Sequence, residues 1–463
     1  LYDRKLYSDL EKMSWTKDHA MAITAAFESL NTAGIDWLVL RNHQGLPHIN
    51  RSKDVDIGIE KLNFHRVEKL ISDAVRFEGF DHMMIEDFHY IRCLTFFSIK
   101  GSMTKSLKID LIDGFPFRGA HVFSFRQLYA NAQLDGEFMI PNEIDDAVML
   151  WCKPLVTGGI VKSSYLPEIK CAAKNEPCKF KVVLNSILTP FWADWSRSKI
   201  LSDDIENMID MKTDLRKSVW CRAFRNKPFF TLLNTIQHVI IELSRRMKRN
   251  DATFFAVVGP DGVGKTTFVN ELLQNLADLQ VKDKNNIIVQ HFRPHIMPNI
   301  NKLLTGQSEI ISDFNNPHSA EPANSLSSLL RITYYWLDYH FGYWLKLRSQ
   351  MIRGKTIIFD RYFYDFIVDP KRSRLSLPNW LPRLYLSMTP QPDLVFFLDT
   401  TADKIFTRKQ ELHPIEIERQ LAVYRKLVAK DPTRFVRLDA NQTIEEIVRL
   451  ASREVVSRLY RPI

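Results

Sequence analysis

No stretch of about 18 or more apolar residues occurs in the 463-residue sequence, so no segment is expected to span a bilayer as a helix. The longest apolar stretch, Phe229 to Leu243, is broken by Asn234, Gln237, His238 and Glu242. Cysteine is scarce. Cys93, Cys152, Cys171, Cys178 and Cys221 form an odd set without a CxxC pair, which argues against a disulfide framework or zinc ribbon and for reduced thiols. Internal repeats and low-complexity tracts are also absent, which removes solenoids and mucin-like stalks. The opening residues Leu1-Tyr2-Asp3-Arg4-Lys5 carry neither an initiator Met nor a secretory apolar region. The chain reads as a trimmed form of an intracellular, cytoplasmic protein. What is present is ordinary for a globular chain: 45% hydrophobic and 25% charged residues, enough to exclude wholesale disorder. The net charge of +9 is too small for a histone-like binder. No specific nucleic-acid partner is expected, whereas phosphorylated partners fit.

Three regions separate by pattern. Residues 1–140 mix short strands with helices and read as α/β or α+β. Ile35–Leu40, Val55–Ile59 and Ser106–Ile112 alternate as half-buried strands do, and Asn63–Phe77 is helical in period. Residues 141–250 are mainly helical and connect the halves. Between 215 and 250 lie nine bases and one acid, Glu242. That segment is either a solvated helix and linker or a patch for anionic headgroups or phosphorylated glycans, a peripheral membrane contact. Residues 251–463 alternate strands and helices, which predicts a doubly wound parallel sheet. Its strands are expected at Phe254–Val258, Ile287–Gln290, Thr356–Phe359, Leu394–Leu398 and Phe435–Leu438.

Gly259-Pro260-Asp261-Gly262-Val263-Gly264-Lys265-Thr266 fits GxxxxGK[ST] between a predicted strand and a predicted helix, Thr266–Leu279. Glycines let backbone N–H groups turn toward phosphate oxygens, and the helix N-terminus adds partial positive charge. Lys265 is placed to reach the β- and γ-phosphates of ATP, and the Thr266 hydroxyl to ligate Mg²⁺.

With Thr267 added, this loop resembles that of thymidylate-kinase-like proteins. Ile357-Ile358-Phe359-Asp360-Arg361-Tyr362, Pro392-Asp393-Leu394 through Asp399, Lys430 through Phe435 and Leu438-Asp439-Ala440 resemble later motifs of that family in order. The wider group includes members linked to surface-polysaccharide synthesis, which this chain resembles more than the housekeeping enzymes. The resemblance implies a P-loop kinase using ATP and Mg²⁺. Lys265, Asp360, Arg361 and Asp261 become the catalytic candidates, with Thr266 and Asp360 at the metal. Gly259, Asp261, Gly262, Val263, Gly264, Lys265, Thr266, Thr267 and Arg408 hold the nucleotide, with Ala440, Asn441 and Gln442 around adenine. Asp399 serves either the site or as a cap for a helix near Ala402. The family's helix pairs often form dimers, so a homodimer is a further expectation.

Two departures bear on the acceptor. Where the family carries an Asp-Arg pair on a long helix, this chain has Asp338-Tyr339, and a tyrosine cannot supply a bidentate contact to phosphate. The Arg-Glu-Pro-Gly motif is altered to His291-Phe292-Arg293-Pro294-His295. A non-thymidylate acceptor, such as a sugar or glycan hydroxyl, is therefore expected. On the helix Leu330–Leu347, Arg331, Tyr335 and Asp338 share one face, which suits either a sugar or an aromatic core. Arg293, Arg331, Asp338, Tyr339 and Arg372 are the acceptor candidates, with His318, Lys371 and Arg374 further off.

In the first region, Asp54-Val55-Asp56 puts two carboxylates on one strand face, and Asp110 lies on a later strand. Three converging acids can bind divalent cations for nucleotidyl transfer. The set resembles the nucleotidyltransferase fold over residues 20–125, with Leu40-Arg41-Asn42 replacing the usual Gly-Ser turn, so that Arg41 would serve phosphate and the domain is either active or binding-only. The leading reading is a kinase fused to a nucleotidyltransferase-like module. A nucleoside or nucleotide kinase and a nucleotide-gated binding protein are the alternatives.

Overall fold

The computed structural model describes residues 15–50, 52, 54–99, 104–157, 160–202, 211–247, 253–279, 286–298, 324–353 and 355–463. His318 lies outside them. The chain forms two compact units, one of residues 1–101, 105–244 and 461–463, the other of 102–104 and 245–460.

In the first unit, helix α1 (Lys17–Thr32) buries Ala22, Ile23, Ala26, Phe27 and Leu30, the spacing of one helical face. The expected strand at 35–40 is shorter than its apolar pattern. Ile35 N–H bonds back to Leu30 O and closes the helix, leaving only β1 (Leu38–Val39), antiparallel to β2 (Val55–Gly58). Helix α2 (Phe64–Phe77) follows. Strands β3 (His82–Asp87), β4 (Ile91–Ser98) and β5 (Lys105–Ile112) complete a mixed sheet in the order β1-β2-β5-β4-β3, and Arg461–Pro462 pairs along β3. The parallel pair β2–β5 sets Asp56 directly beside Asp110. Two small ladders follow, β6 (Phe115–Phe117) with β7 (Ala120–Phe123) and β8 (Gln133–Asp135) with β9 (Phe138–Ile140).

The helical segment, read from sequence as a connection, packs as part of this unit. It comprises α3 (Glu143–Thr157), α4 (Leu166–Asn175), α5 (Pro177–Ile187), α6 (Pro190–Ser202), α7 (Lys212–Asn226) and α8 (Pro228–Met247). Trp151, Phe180, Leu184, Leu215 and Val219 share one buried cluster with Leu38, Leu40, Ile112 and Phe115. Apolar burial of this kind contributes about 1.5–3 kcal/mol per large side chain, so these helices are core.

The second unit is a five-stranded, wholly parallel sheet in the order β11-β12-β10-β13-β14. The strands are β10 (Phe254–Val258), β11 (Ile287–His291), β12 (Thr356–Asp360), β13 (Leu394–Asp399) and β14 (Phe435–Asp439). Four of them run one residue beyond the expected end, onto His291, Asp360, Asp399 and Asp439. Apolar pattern marks only the buried part, while ladder pairing continues onto the polar residue that faces the carboxyl edge. Helices α9 (Lys265–Asp278), α10 (Ser325–Phe341), α11 (Ala402–Arg408), α12 (Pro414–Lys430) and α13 (Ile444–Leu459) belong to this unit. The expected helix 330–347 begins earlier, at Ser325, and widens into a π-helical turn over Gly342–Leu347. Gly342 opens that turn, and a β-carbon there would lie 2.2 Å from Pro294 Cβ, so glycine permits the close approach of the chain after β11. No described helix is long and apolar enough to cross a membrane.

Candidate active sites of the two units

In the second unit the phosphate loop joins central strand β10 to α9, at the carboxyl edge where open parallel sheets bind ligands. Gly264, at the N-cap of α9, has φ +104°, a region that strains any side chain. Gly262 has φ +84°, and a β-carbon there would approach Lys409 Cβ to 2.9 Å. Lys265 is buried, its ammonium donating to Gly259 O and Pro260 O at 2.8 Å each. Burial pushes its pKa down to about 8, against the attraction of Asp365 and Asp360.

Asp360 ends β12 beside this loop. The Thr266 hydroxyl donates to Asp360 Oδ2 at 3.4 Å, and His291 Nδ1 lies 3.5 Å from the same oxygen. Burial alone would raise the Asp360 pKa, but the bond from His291, the charge of Lys265 and the Thr266 hydroxyl hold it below the ordinary value. Its other oxygen, Oδ1, is buried without a hydrogen-bond partner. A hydroxyl, a deprotonated carboxylate and an orphaned oxygen at one spot fit a hard cation such as Mg²⁺.

Arg361 has φ +73°, a strained backbone that such sites tolerate. Its guanidinium pairs with Asp261 of the loop and, at 2.8 Å, with Asp365. Arg372 also pairs with Asp261. Asp261 thus gathers two arginines at the loop, one of them expected from sequence only on the acceptor side. Arg408 reaches Val263 O at 3.5 Å. Val263 is buried and Thr267 follows in the first turn of α9. Asp399 is not a helix cap, since Thr401 holds that position. Its carboxylate instead accepts from Arg425 and Arg437. Asn441 accepts from the Thr400 hydroxyl at 2.6 Å.

The remaining acceptor candidates form a separate latch. Asp338 is fully buried and accepts from Ile296 N, Met297 N and, at 3.3 Å, Arg293 Nη1. Tyr339 is buried and its hydroxyl donates to Phe292 O. Both residues hold the segment after β11. Arg293 also lies over the Tyr335 ring, which stacks on Phe366 at 5.2 Å. Arg331, one turn earlier on α10, has a buried Nε without a partner.

Two participants escaped the sequence reading. Asp365 accepts from Arg361 and from the Tyr424 hydroxyl at 2.7 Å, and its signal was the i, i+4 spacing from Arg361. His291 was read only as part of an altered motif. Its place opposite Asp360 follows from the parallel register.

In the first unit, Asp54, Asp56 and Asp110 each offer a carboxylate oxygen within 4.8 Å of the others. Arg41, expected to meet phosphate, pairs with Asp56, and Lys153 of α3 lies 3.8 Å from the same carboxylate. Lys108 lies 3.7 Å from Asp110. Burial would raise Asp56, but Lys153 and Arg41 hold it below the ordinary value. Asp110 is pushed up to about 6 by burial, with Asp56 and Asp54 adding to the rise and Lys108 opposing it. Asp56 Oδ1 and Asp110 Oδ1 are buried without hydrogen-bond partners, which leaves oxygen lone pairs that suit a divalent cation.

Comparison with known proteins bears on the second unit. The thymidylate kinase family model matches residues 319–451, a span that includes Asp360, Arg361 and Arg372. A probable thymidylate kinase of Methanosarcina barkeri is 29% identical over 126 residues, covering 25% of this chain and 62% of that protein. The chain thus covers less than two thirds of that relative. The crystal structure of thymidylate kinase from Ehrlichia chaffeensis shares 16% identity over 44% of this chain and 98% of its own, with a TM-score of 0.31. The family match over residues 319–451 and the curated relative show a thymidylate-kinase-like domain in the C-terminal region. The loop around Lys265 precedes the matched span and rests on its own geometry.

Proposed function

We propose that the second unit is an ATP- and Mg²⁺-dependent phosphotransferase whose acceptor is not thymidylate. The observation that carries this reading is the meeting of Lys265, Thr266 and Asp360 at one carboxyl edge, with Arg361 and Arg372 gathered on Asp261 beside them. Lys265 would exchange its two backbone carbonyls for phosphate oxygens, and the loop amides would orient the triphosphate. Arg361 would offset charge as the phosphoryl group leaves, which is where such sites gain most of their rate. Thr266 and Asp360 would hold Mg²⁺, which when bound screens the phosphate charge.

The acceptor assignment rests on the latch. Asp338 and Tyr339, at the place of the family's Asp-Arg pair, spend their polar atoms on backbone groups of the protein. What remains toward an acceptor is Arg331, a half-buried base whose Nε has no hydrogen-bond partner and can meet a sugar or glycan hydroxyl. Labelled ATP incubated with nucleosides, nucleotides and sugars decides this. Label on a sugar supports the proposal, and label on thymidylate overturns it. Label on another nucleoside or nucleotide supports a nucleoside or nucleotide kinase. ATP consumption without any labelled acceptor supports a nucleotide-gated binding protein.

A second reading concerns the first unit. The convergence of three carboxylates beside Arg41 and Lys153 supports a nucleotidyltransferase-like module. The double variant Asp54→Ala/Asp56→Ala would abolish nucleotide transfer while leaving phosphotransfer by the second unit intact. Retention of all nucleotide-transferring activity would sink this reading.

A further inference from the structure

Helix α8 is built inside out. Among the described side chains its buried or half-buried positions are polar apart from Ile241: Thr231, Asn234, Thr235, His238, Glu242 and Ser244. Its outward positions are Phe229, Phe230, Leu233, Ile236, Ile240 and Leu243, with Phe229 72%, Ile240 59% and Leu243 54% exposed. They recur at the three- and four-residue spacing of one helix face, over about 21 Å of axis.

The rotational setting of the helix is fixed by its polar side. The Trp220 indole donates to the Thr235 hydroxyl at 3.2 Å, and that hydroxyl donates to Thr231 O. The His238 ring stacks with His89 at 6.4 Å. Gly119 has φ +84°, and a β-carbon there would lie 2.5 Å from Thr235 Cα, so only glycine permits the approach. Turning α8 to bury its apolar face would break all of these contacts.

An apolar stripe of this size on a helix pinned by its polar face calls for an occupant, and the charges around it select one. Arg225 and Lys227 are exposed immediately before the helix, and the sequence from 215 to 250 holds nine bases against the single acid Glu242. A second copy laid against the stripe would bring one strongly basic 215–250 segment against another. An anionic bilayer surface meets both features, taking the apolar face at the acyl boundary and the bases at the headgroups. We propose that α8 is an interfacial helix that docks this protein on anionic lipid surfaces, a role independent of the phosphotransfer reading.

The test is sedimentation of the full chain with phosphatidylcholine–phosphatidylserine vesicles and with phosphatidylcholine vesicles, at low and high salt, alongside its oligomeric state. The expected result is binding to the anionic vesicles, weakened by salt. Ile236→Glu/Ile240→Glu should reduce it by about tenfold or more, and Arg225→Glu/Lys227→Glu by a smaller factor. Both positions of the first pair are exposed, so its circular-dichroism spectrum should match the parent, and Ile236→Ser/Ile240→Ser gives a milder version of the same loss. Absence of vesicle binding, binding indifferent to these changes, or a dimer that Ile236→Glu/Ile240→Glu dissociates would each overturn the proposal.

Discussion

Asp360 and Asp110 show the same exposed surface, 8% each, and each lies on an inner strand of its sheet, but Asp110 sits deeper among protein atoms. Burial raises the proton affinity of both. Their carboxyls nevertheless move in opposite directions, Asp360 below its ordinary value and Asp110 up to about 6. The difference lies in the depth of burial and in the neighbours. Around Asp360 stand His291, Lys265 and the Thr266 hydroxyl, all favouring the anion. Around Asp110 burial is the largest influence; Lys108 favours the anion, and Asp56 and Asp54 oppose it. One site is already arranged around its negative charge by the protein's own donors. At the other, Arg41, Lys153 and Lys108 stand beside the three carboxylates, yet burial keeps the proton affinity of Asp110 raised and two carboxylate oxygens lack a hydrogen-bond partner. A carboxylate site of the second kind depends more on an added cation than one of the first.

The largest effect that would test this contrast is at Lys265. Lys265→Ala removes the cation that meets the triphosphate and is expected to lower ATP turnover by about 10³-fold. Thermal unfolding should be little changed, because the partners of Lys265, namely Gly259 O, Pro260 O and the Asp261 carboxylate at 3.7 Å, lie within its own loop. Steady-state kinetics beside calorimetric unfolding checks both. Asp360→Asn keeps the shape but loses the anion, and turnover should fall by about 10²-fold, with recovery at raised Mg²⁺ absent. Because the folded pKa of Asp360 is depressed, its contribution to stability is present above the ordinary value of 3.8 and is lost as pH falls through the lowered one. If Asp360→Asn instead stabilised the protein at neutral pH, the contrast between the two sites would be broken.

How much of this was legible in the sequence follows from how local each signal is. The strand–loop–helix around Lys265 is encoded within a dozen or so consecutive residues, and the structure places it as expected. Asp54, Asp56 and Asp110 were also legible, because period-two alternation fixes the face of a strand. Partners that arrive from distant elements were not. Lys153 reaches Asp56 from α3, Arg372 reaches Asp261 across more than a hundred residues, and Arg425 and Arg437 converge on Asp399. Nothing near those residues in sequence announces the meeting. The inverted polarity of α8 was hidden for a related reason: sequence shows an apolar face, and only packing shows which way it points.

The latch at Asp338 sets the next prediction. Asp338→Ala leaves two backbone N–H groups and the buried Arg293 without their acceptor. Groups stranded in this way cost about 2 kcal/mol or more together. The melting temperature should drop, and Asp338→Asn should recover part of the loss by accepting from the same amides. If Asp338 served the acceptor and not the fold, activity would fall in Asp338→Ala with no change in melting.

The smallest effect has the opposite sign. The folded pKa of Asp110 is raised above the ordinary 3.8 to about 6. Its favourable contribution is therefore complete below 3.8 and is lost as pH rises through about 6. In metal-free protein at neutral pH the charged carboxylate is a cost, so Asp110→Asn should stabilise by about 1 kcal/mol. The gain should disappear in acid, where the wild-type carboxyl is protonated too. Added Mg²⁺ should reverse the ranking, raising the melting temperature of the wild type more than that of Asp110→Asn, because only the carboxylate can pass its charge to a cation. Melting curves with chelator and with Mg²⁺, at neutral and acidic pH, separate these cases. A loss of stability in Asp110→Asn at neutral pH with chelator would mean that Lys108 already balances Asp110, and that the acid trio needs no cation.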